Sequence, residues 1–156
     1  MTNSDKARSE LNKAKRAGVM FYAMPSDLAV DDFIDPLMLP ILSEINRTGW
    51  CWTAESCQGH PDLDRENSWG QNTDPMLRLV CRQQNYGLML SSLLEATTSY
   101  LHMSLFVYPR RVGLGQTDWR ETIVSIPSKN VYERNRGLQA FSDFAQQLHL
   151  HHQESK

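Results

Sequence analysis

Apolar residues recur at helical intervals in three stretches of the chain: 31–47, 84–98 and 130–150. Spacings of three and four residues place such side chains on one face of a helix, so each stretch predicts an amphipathic helix. A fourth helix is predicted over residues 4–16, where Leu11 is almost the only large apolar side chain. Pro40 lies inside the first stretch, and we expect a kink or a restart there because proline has no backbone N–H to donate.

Four shorter stretches carry the aromatic and β-branched residues that are typical of strands: 50–53, 76–81, 101–108 and 120–126. The last two flank a glycine-containing loop, 110–118, and predict a hairpin with a basic rim. Segment 62–74 is polar and predicts a loop. This order of elements predicts an α/β (α+β) fold, a single compact domain with a mixed sheet of about four to five strands flanked by helices.

Charge is distributed unevenly along the 156 residues, although the formal net charge is only −2. Residues 1–18 carry five basic and two acidic side chains, and residues 24–74 carry ten acidic side chains against two arginines. Residues 75–156 carry nine basic and six acidic side chains. A nucleotide or RNA partner is therefore expected to meet the first or the last of these segments, because the middle one repels phosphate.

Length and composition predict one domain over residues 1–156, with 1–18 as a basic N-terminal helix or arm and 149–156 as a polar tail. No apolar run reaches the roughly 20 residues that a membrane-spanning helix needs, so no membrane partner is expected. Cys51, Cys57 and Cys81 form an odd set without the spacing of a disulfide framework. This predicts free thiols and a cytoplasmic location.

The most informative stretch is 53–60, where a predicted strand runs into a Ser-Cys-Gln-Gly-His turn. It combines a thiol, a glycine and an imidazole at a strand end, where α/β proteins place ligands. Gly59 permits a sharp turn, and consecutive backbone N–H groups in such a turn can hold an anion. We therefore predict an open cradle at residues 56–60 for a small anionic or nucleotide-like ligand. The alternative is a packed turn in which Cys57 is a small buried hydrophobic residue.

Two other chemistries are open to the same residues. A zinc site would use Cys57 and His60 with Cys51 or Cys81 from a neighbouring strand, but the chain lacks a paired CxxC motif and no metal is assigned. Covalent catalysis by Cys57 would need His60 and Glu55 to converge on it, whereas adjacent positions of a strand alternate faces. No catalytic residue is therefore assigned.

Basic side chains outside the turn suggest two further interpretations. Arg110 and Arg111 lie near Tyr108 and Trp119 in sequence and could bind phosphate beside a stacked base, although a solubilising hairpin edge explains them equally well. We also select two arginines of the 76–82 region as candidates for phosphate or RNA contact: Arg78 and Arg82. His149, His151 and His152 resemble a metal-binding tract, but a solvated tail is the favoured interpretation.

Several of these segments occur together in a known family. The helix from Asp35-Pro36-Leu37 to Ile45-Asn46, followed by Thr-Ala-Glu-Ser-Cys-Gln-Gly-His at 53–60, resembles the wybutosine-synthesis tRNA methyltransferase family, which has a Thr-Thr-Ser-Ser-Cys-Ser-Gly-Arg turn. Trp69 and the Pro-Met-Leu-Arg-Leu-Val-Cys-Arg strand at 75–82 are similar to the family's tryptophan and its Pro-Phe-x-Leu-x-Val-x-Cys-Arg strand. The resemblance extends over roughly residues 6–148.

The resemblance implies S-adenosylmethionine as cofactor and N-methylation of a modified guanosine in phenylalanine tRNA. It also implies a ligand site, of which four positions match the family and the last differs: Thr53, Ser56, Cys57, Gly59 and His60. His60 stands where the family has arginine, so a fixed positive charge becomes a titratable one. The family's Gly-Phe-Arg-x-Ser-Gly-Ile stretch is replaced by residues 101–108.

Two hypotheses follow for the function. The first is an S-adenosylmethionine-dependent, methyltransferase-like protein that acts on a nucleotide or RNA base, a reaction that mainly requires in-line positioning of donor and acceptor. The second is a non-catalytic module on the same fold, either a nucleotide-ligand sensor or a small inhibitor protein. The two departures from the family pattern favour the second hypothesis slightly.

Overall fold

The computed structural model describes residues 2–16, 18–28, 34–61, 74–98, 100, 106–110 and 118–154. Its elements in chain order are α1 (Asn3–Arg16), α2 (Pro25–Leu28), α3 (Leu39–Arg47), β1 (Cys51–Cys57), β2 (Met76–Arg82), α4 (Tyr86–Thr98), β3 (Phe106–Arg110), β4 (Trp119–Ser125) and α5 (Val131–Glu154). A short 3-10 turn, Gln83–Asn85, leads from β2 into α4. The predicted combination of a sheet with flanking helices is confirmed.

The strands form one sheet in the order β1-β2-β4-β3. The seven-residue strands β2 and β4 lie at its centre, with the seven-residue β1 at one edge and the five-residue β3 at the other. Each neighbouring pair is antiparallel, so the prediction of a mixed sheet is wrong for these strands. Both β2 and β3 run antiparallel to β4 and hence parallel to each other, which makes β2, α4 and β3 a βαβ unit split by β4.

One face of the sheet packs against α3, α4 and α5 and forms the main core. The strands contribute alternate side chains that are fully buried: Cys51, Leu77, Leu79, Cys81 and Val124. From α5 come residues at the helical spacing that predicted this helix: Leu138, Phe141, Phe144, Ala145 and Leu148. The apolar residues that alternate along the strands therefore pack against the apolar residues that recur every 3.6 positions along the helices.

The opposite face carries a second, aromatic core beneath α1. Phe21 stacks on Trp52 with 4.6 Å between ring centroids, and Trp119 lies 6.1 Å from Trp52. Ala7 and Ala14 of α1 are buried against this group. The N-terminal helix is therefore docked through two alanines together with Leu11, which packs against the same group.

The helix predicted over 31–47 is shorter in the structure. α3 begins at Leu39, with Pro40 in its first turn, where a missing N–H costs nothing because the first helical donors have no intrahelical acceptor. The restart expected at Pro40 is thus found, whereas residues 36–38 form a turn and 29–33 lie outside the described part. Gly49, with φ of 75°, follows the helix end in the left-handed conformation that stops a helix.

Other predictions fall partly outside the described residues. The strand predicted at 101–108 is described from Phe106 onward, and most of the loop segments 62–74 and 110–118, with Trp69, are not described. α5 continues to Glu154, so residues 149–154 of the predicted polar tail are helical. Within the described residues, no helix is both long and apolar enough to cross a membrane.

Candidate functional site

The Ser56–His60 segment lies at the end of β1, beside the N-terminal part of α5. Cys57 and Gly59 are buried, and Gly59 has a φ of 84°, a conformation that side chains of L residues rarely adopt. Nη1 of the buried Arg134 donates a hydrogen bond of 3.0 Å to the Gly59 carbonyl oxygen. The turn is therefore fixed in shape and held against α5.

The carboxylate of Asp35 accepts a hydrogen bond from the backbone of this turn. The backbone N–H of Gln58 donates to Oδ2 of Asp35 at 3.0 Å, and the Gly59 N–H points to Sγ of Cys57 at 3.5 Å. In the other direction, the backbone N–H of Leu37 donates to the side-chain oxygen of Gln58 at 3.2 Å. Two of the donors expected to receive an external anion, the N–H groups of Gln58 and Gly59, thus already have partners within the chain.

Three side chains with metal-ligand chemistry converge at the same place. Oδ2 of Asp35 lies 3.4 Å from Nε2 of His60, and ligand atoms of Asp35, Cys57 and His60 all lie within 4.8 Å of one another. Cys57 is buried, while Asp35 and His60 are partly exposed. The sequence singled out Cys57 and His60 as possible metal ligands; the structure adds Asp35.

Thr53 and Ser56, the other two predicted ligand residues, take different positions. Thr53 is fully buried, and its backbone N–H donates to Oδ1 of Asn46 at 2.8 Å while its hydroxyl accepts from Nδ2 at 3.1 Å. This pairing joins β1 to α3 and gives Thr53 a structural role. Ser56 lies half-buried on β1 opposite Leu77.

The other two cysteines lie at the far end of β1 and do not approach Cys57. Cys51 is paired with Cys81 across β1 and β2, and both are fully buried. Burial raises the pKa of the Cys81 thiol to about 12 and raises that of Cys51 as well. Six residues of strand correspond to about 20 Å, so the zinc ligand set expected from Cys51 or Cys81 is excluded by the sheet register.

The covalent triad considered from sequence is not assembled. Oε2 of Glu55 pairs with Nη1 of Arg78 at 2.9 Å on the sheet face, and the Glu55 side chain is largely exposed. Because Glu55 is engaged there, it does not orient His60 toward Cys57.

Arg78 and Arg82, predicted to contact phosphate, are each paired with acidic side chains. Arg78 binds Glu55 and Glu121; burial opposes its charge, but these hydrogen bonds raise the pKa of Arg78 above its ordinary value. Nε of Arg82 donates to Glu10 at 2.8 Å, and its guanidinium lies 4.3 Å from the centre of the Trp119 ring. A phosphate would therefore have to displace a carboxylate at either position.

The structure describes some of the remaining arginines and histidines that the sequence singled out. Arg110 ends β3 with its backbone opposite Glu121, and Arg111 lies outside the described residues. His149 contacts the carbonyl oxygen of Glu44 in α3 at 2.9 Å, and His151 contacts Glu95 in α4 at 3.2 Å. These contacts between helices replace the solvated tail that we expected.

An open cleft of about 810 Å³ lies at the opposite end of the sheet from the turn. It is lined by residues from α1, the start of β1 and the loops that end β2 and precede β4, including Glu10, Trp50, Trp52, Arg82, Gln84 and Asp118. Sequence reasoning missed this cleft because its walls come from four separated segments. The only local signal was the polar run Gln83–Asn85 directly after a buried strand.

The lining of the cleft combines two buried tryptophans with charged side chains of both signs. Glu10 is paired with Arg82 and Lys13; partial burial works against its charge, but these contacts hold the pKa of Glu10 below its usual range. Asp118 is exposed at the rim and adds a further carboxylate. The indole Nε1–H groups of Trp50 and Trp52 are buried and have no acceptor among the described residues.

Comparisons with protein-family models, with curated proteins and with solved structures found no match to this chain.

Proposed function

We propose that the protein binds a small nucleoside-containing ligand in the cleft at the Trp50 end of the sheet. The observation that supports this is the cleft itself, whose volume of about 810 Å³ suits a ligand of that size. Two tryptophans and a run of amide side chains line it, and this mixture suits a base with hydrogen-bonding edges.

The charge of the cleft selects among nucleosides. Arg82 is engaged by Glu10, which also pairs with Lys13, and Asp118 places an exposed carboxylate at the rim. A di- or triphosphate is disfavoured there, whereas a ligand with a positive group is favoured. S-adenosylmethionine, the cofactor suggested by resemblance, carries a sulfonium and an ammonium group and fits this requirement.

The binding module is the function we propose first, and methyl transfer is the second candidate. S-adenosylmethionine, when bound, supplies an electrophilic methyl group. The chain's own contribution would be to hold the ligand between Trp50 and Asp118 and to leave it reachable by an acceptor, since the cleft is open to solvent. A guanosine or RNA acceptor remains part of this second proposal.

Calorimetric titration of the full chain tests the binding proposal. We expect heat with S-adenosylmethionine, weaker binding of S-adenosylhomocysteine, which lacks the sulfonium charge, and little binding of ATP. Asp118→Asn should weaken S-adenosylmethionine about two- to fivefold, as expected for one exposed charge pair, and leave S-adenosylhomocysteine nearly unchanged. Glu95→Gln, an exposed acid on α4 away from the cleft, is the matched control.

Absence of heat with both adenosyl ligands would overturn the proposal, as would tighter binding of ATP than of S-adenosylmethionine. Methyl transfer is tested separately, by incubating the protein with S-adenosylmethionine labelled on the methyl group and with tRNA. Label in the RNA supports the enzyme, whereas binding without transfer supports the non-catalytic module.

A further inference from the structure

We propose that Asp35, Cys57 and His60 form a three-ligand site for one Zn²⁺ ion at the end of β1. The three residues come from two segments that are distant in sequence, the turn before α3 and the turn after β1. Their ligand atoms lie within 4.8 Å of one another. A thiolate, an imidazole and a carboxylate are the three ligand types that zinc uses in proteins.

The spacing of the ligand atoms suits a tetrahedral ion. Around zinc, with bonds of about 2.0 to 2.3 Å, ligand atoms lie about 3.4 Å apart. The distance from Nε2 of His60 to Oδ2 of Asp35 already has this value, 3.4 Å. Sγ of Cys57 lies no more than 4.8 Å from a ligand atom of each of the other two residues, so a movement of about 1.4 Å at most completes the triangle.

The charges also balance. Cys57 would bind as a thiolate after releasing its proton to solvent, Asp35 is a carboxylate, and His60 is neutral, so the three ligands cancel the two charges of the ion. This neutrality matters because the site is largely enclosed: the side chains of His60 and Asp35 are only 14% and 23% exposed. An unpaired double negative charge there would be costly.

Surrounding hydrogen bonds already hold the ligands in position. Asp35 accepts from the Gln58 backbone, and the Gly59 N–H points at Sγ of Cys57, a contact that stabilises a thiolate. Arg134 fixes the Gly59 carbonyl from the other side. Three protein ligands leave a fourth coordination position for water or another small ligand, which is the pattern of reactive rather than purely structural zinc sites.

Cobalt spectroscopy of the untagged, chelator-treated, reduced full chain tests the site. Co²⁺ should bind with a stoichiometry of one and give thiolate-to-cobalt charge-transfer absorption in the near ultraviolet, which Zn²⁺ then abolishes. Cys57→Ser should remove this absorption. Asp35→Asn should keep it but weaken Co²⁺ binding at least about tenfold.

Two controls separate this site from other metal-binding groups in the chain. Cys81→Ala removes a buried thiol of the far strand end, and the His151→Gln/His152→Gln double variant removes two of the three C-terminal imidazoles. Both variants should retain the charge-transfer absorption. No thiolate band at saturating Co²⁺, or a band that survives Cys57→Ser, would overturn the proposal.

Thermal unfolding provides a second measurement that does not depend on the serine variant. Zn²⁺ should raise the Tm of the wild-type chain, and it should raise the Tm of His60→Gln, which keeps the thiol, much less. An equal rise in both would also overturn the proposal. The site is independent of the cleft, so Asp118→Asn should leave the cobalt spectrum unchanged.

Discussion

Nε2 of His60 lies 3.4 Å from Oδ2 of Asp35, across 25 positions of the sequence. The same carboxylate oxygen accepts the backbone N–H of Gln58 at 3.0 Å. The turn after β1 therefore binds a carboxylate of the chain through one backbone N–H, whereas we predicted an open cradle for an external ligand. This is why we place the nucleoside ligand in the cleft at the other end of the sheet and reserve the turn for a cation.

The shape of the turn depends on Gly59. Its φ of 84° is strained for any residue with a Cβ, so Gly59→Ala should lower the free energy of unfolding by about 1 to 2 kcal/mol. Gly87→Ala is the control, because Gly87 lies in α4 with open space around it and alanine favours a helix. Urea unfolding of both variants measures the difference. Equal destabilisation by the two changes would contradict this role of Gly59.

Asn46 holds Thr53 in place. Asn46→Ala leaves the buried Thr53 N–H without its acceptor and should cost about 2 to 3 kcal/mol of unfolding free energy. Asn12→Ala, an exposed change on α1, should alter stability by no more than about 0.5 kcal/mol. Chemical denaturation compares them. A loss under about 0.5 kcal/mol for Asn46→Ala would show that Thr53 finds another partner.

Arg78 neutralises Glu121, whose side chain is only 9% exposed. Arg78→Ala should cost about 2 to 3 kcal/mol because it leaves that carboxylate without its partner. A double-mutant cycle with Glu121→Ala should give a coupling free energy of about 1 to 3 kcal/mol. The same cycle with Glu55→Ala, whose side chain is largely exposed, should give less than about 1 kcal/mol. Equal coupling free energies in the two cycles would show that the burial of Glu121 does not strengthen its pair with Arg78.

The Glu10–Arg82 pair predicts a specific dependence of stability on pH. The pKa of Glu10 is lowered in the folded state, so its stabilising contribution is present above the unfolded-state value of about 4.3 and is lost as the pH falls through the folded-state pKa. Glu10→Gln should therefore be less stable than wild type at pH 7, by about 1 kcal/mol or less. Thermal unfolding should show this gap closing on acidification; a gap that widens would contradict it.

The sequence predicted those elements whose signals are local. Helical spacing located α4 and α5, and alternation located β2, because each pattern is complete within one segment. It misplaced the start of α3, where Pro36 and Pro40 interrupt the pattern. It did not identify Ala7 and Ala14 as contacts of α1, since alanines carry little periodic signal.

The candidate sites were harder to predict because their contacts are long-range. Arg78 and Arg82 looked available for phosphate, but their partners Glu121 and Glu10 lie 43 and 72 positions away. Asp35 was indistinguishable from an ordinary helix-capping residue until the fold brought it to His60. The order of the strands in the sheet, rather than a sequence motif, determines which charged side chains are paired and which candidate ligands lie close together.

The most direct test of the account follows the indole N–H signals by two-dimensional NMR of ¹⁵N-labelled protein. The chain has four tryptophans and hence four such signals: Trp50, Trp52, Trp69 and Trp119. Single Trp→Phe variants assign them. Addition of S-adenosylmethionine should shift the Trp50 and Trp52 signals, because both residues line the proposed cleft. Unchanged Trp50 and Trp52 signals at saturating ligand, with shifts confined to the backbone amides of Gln58, Gly59 and His60, would contradict it.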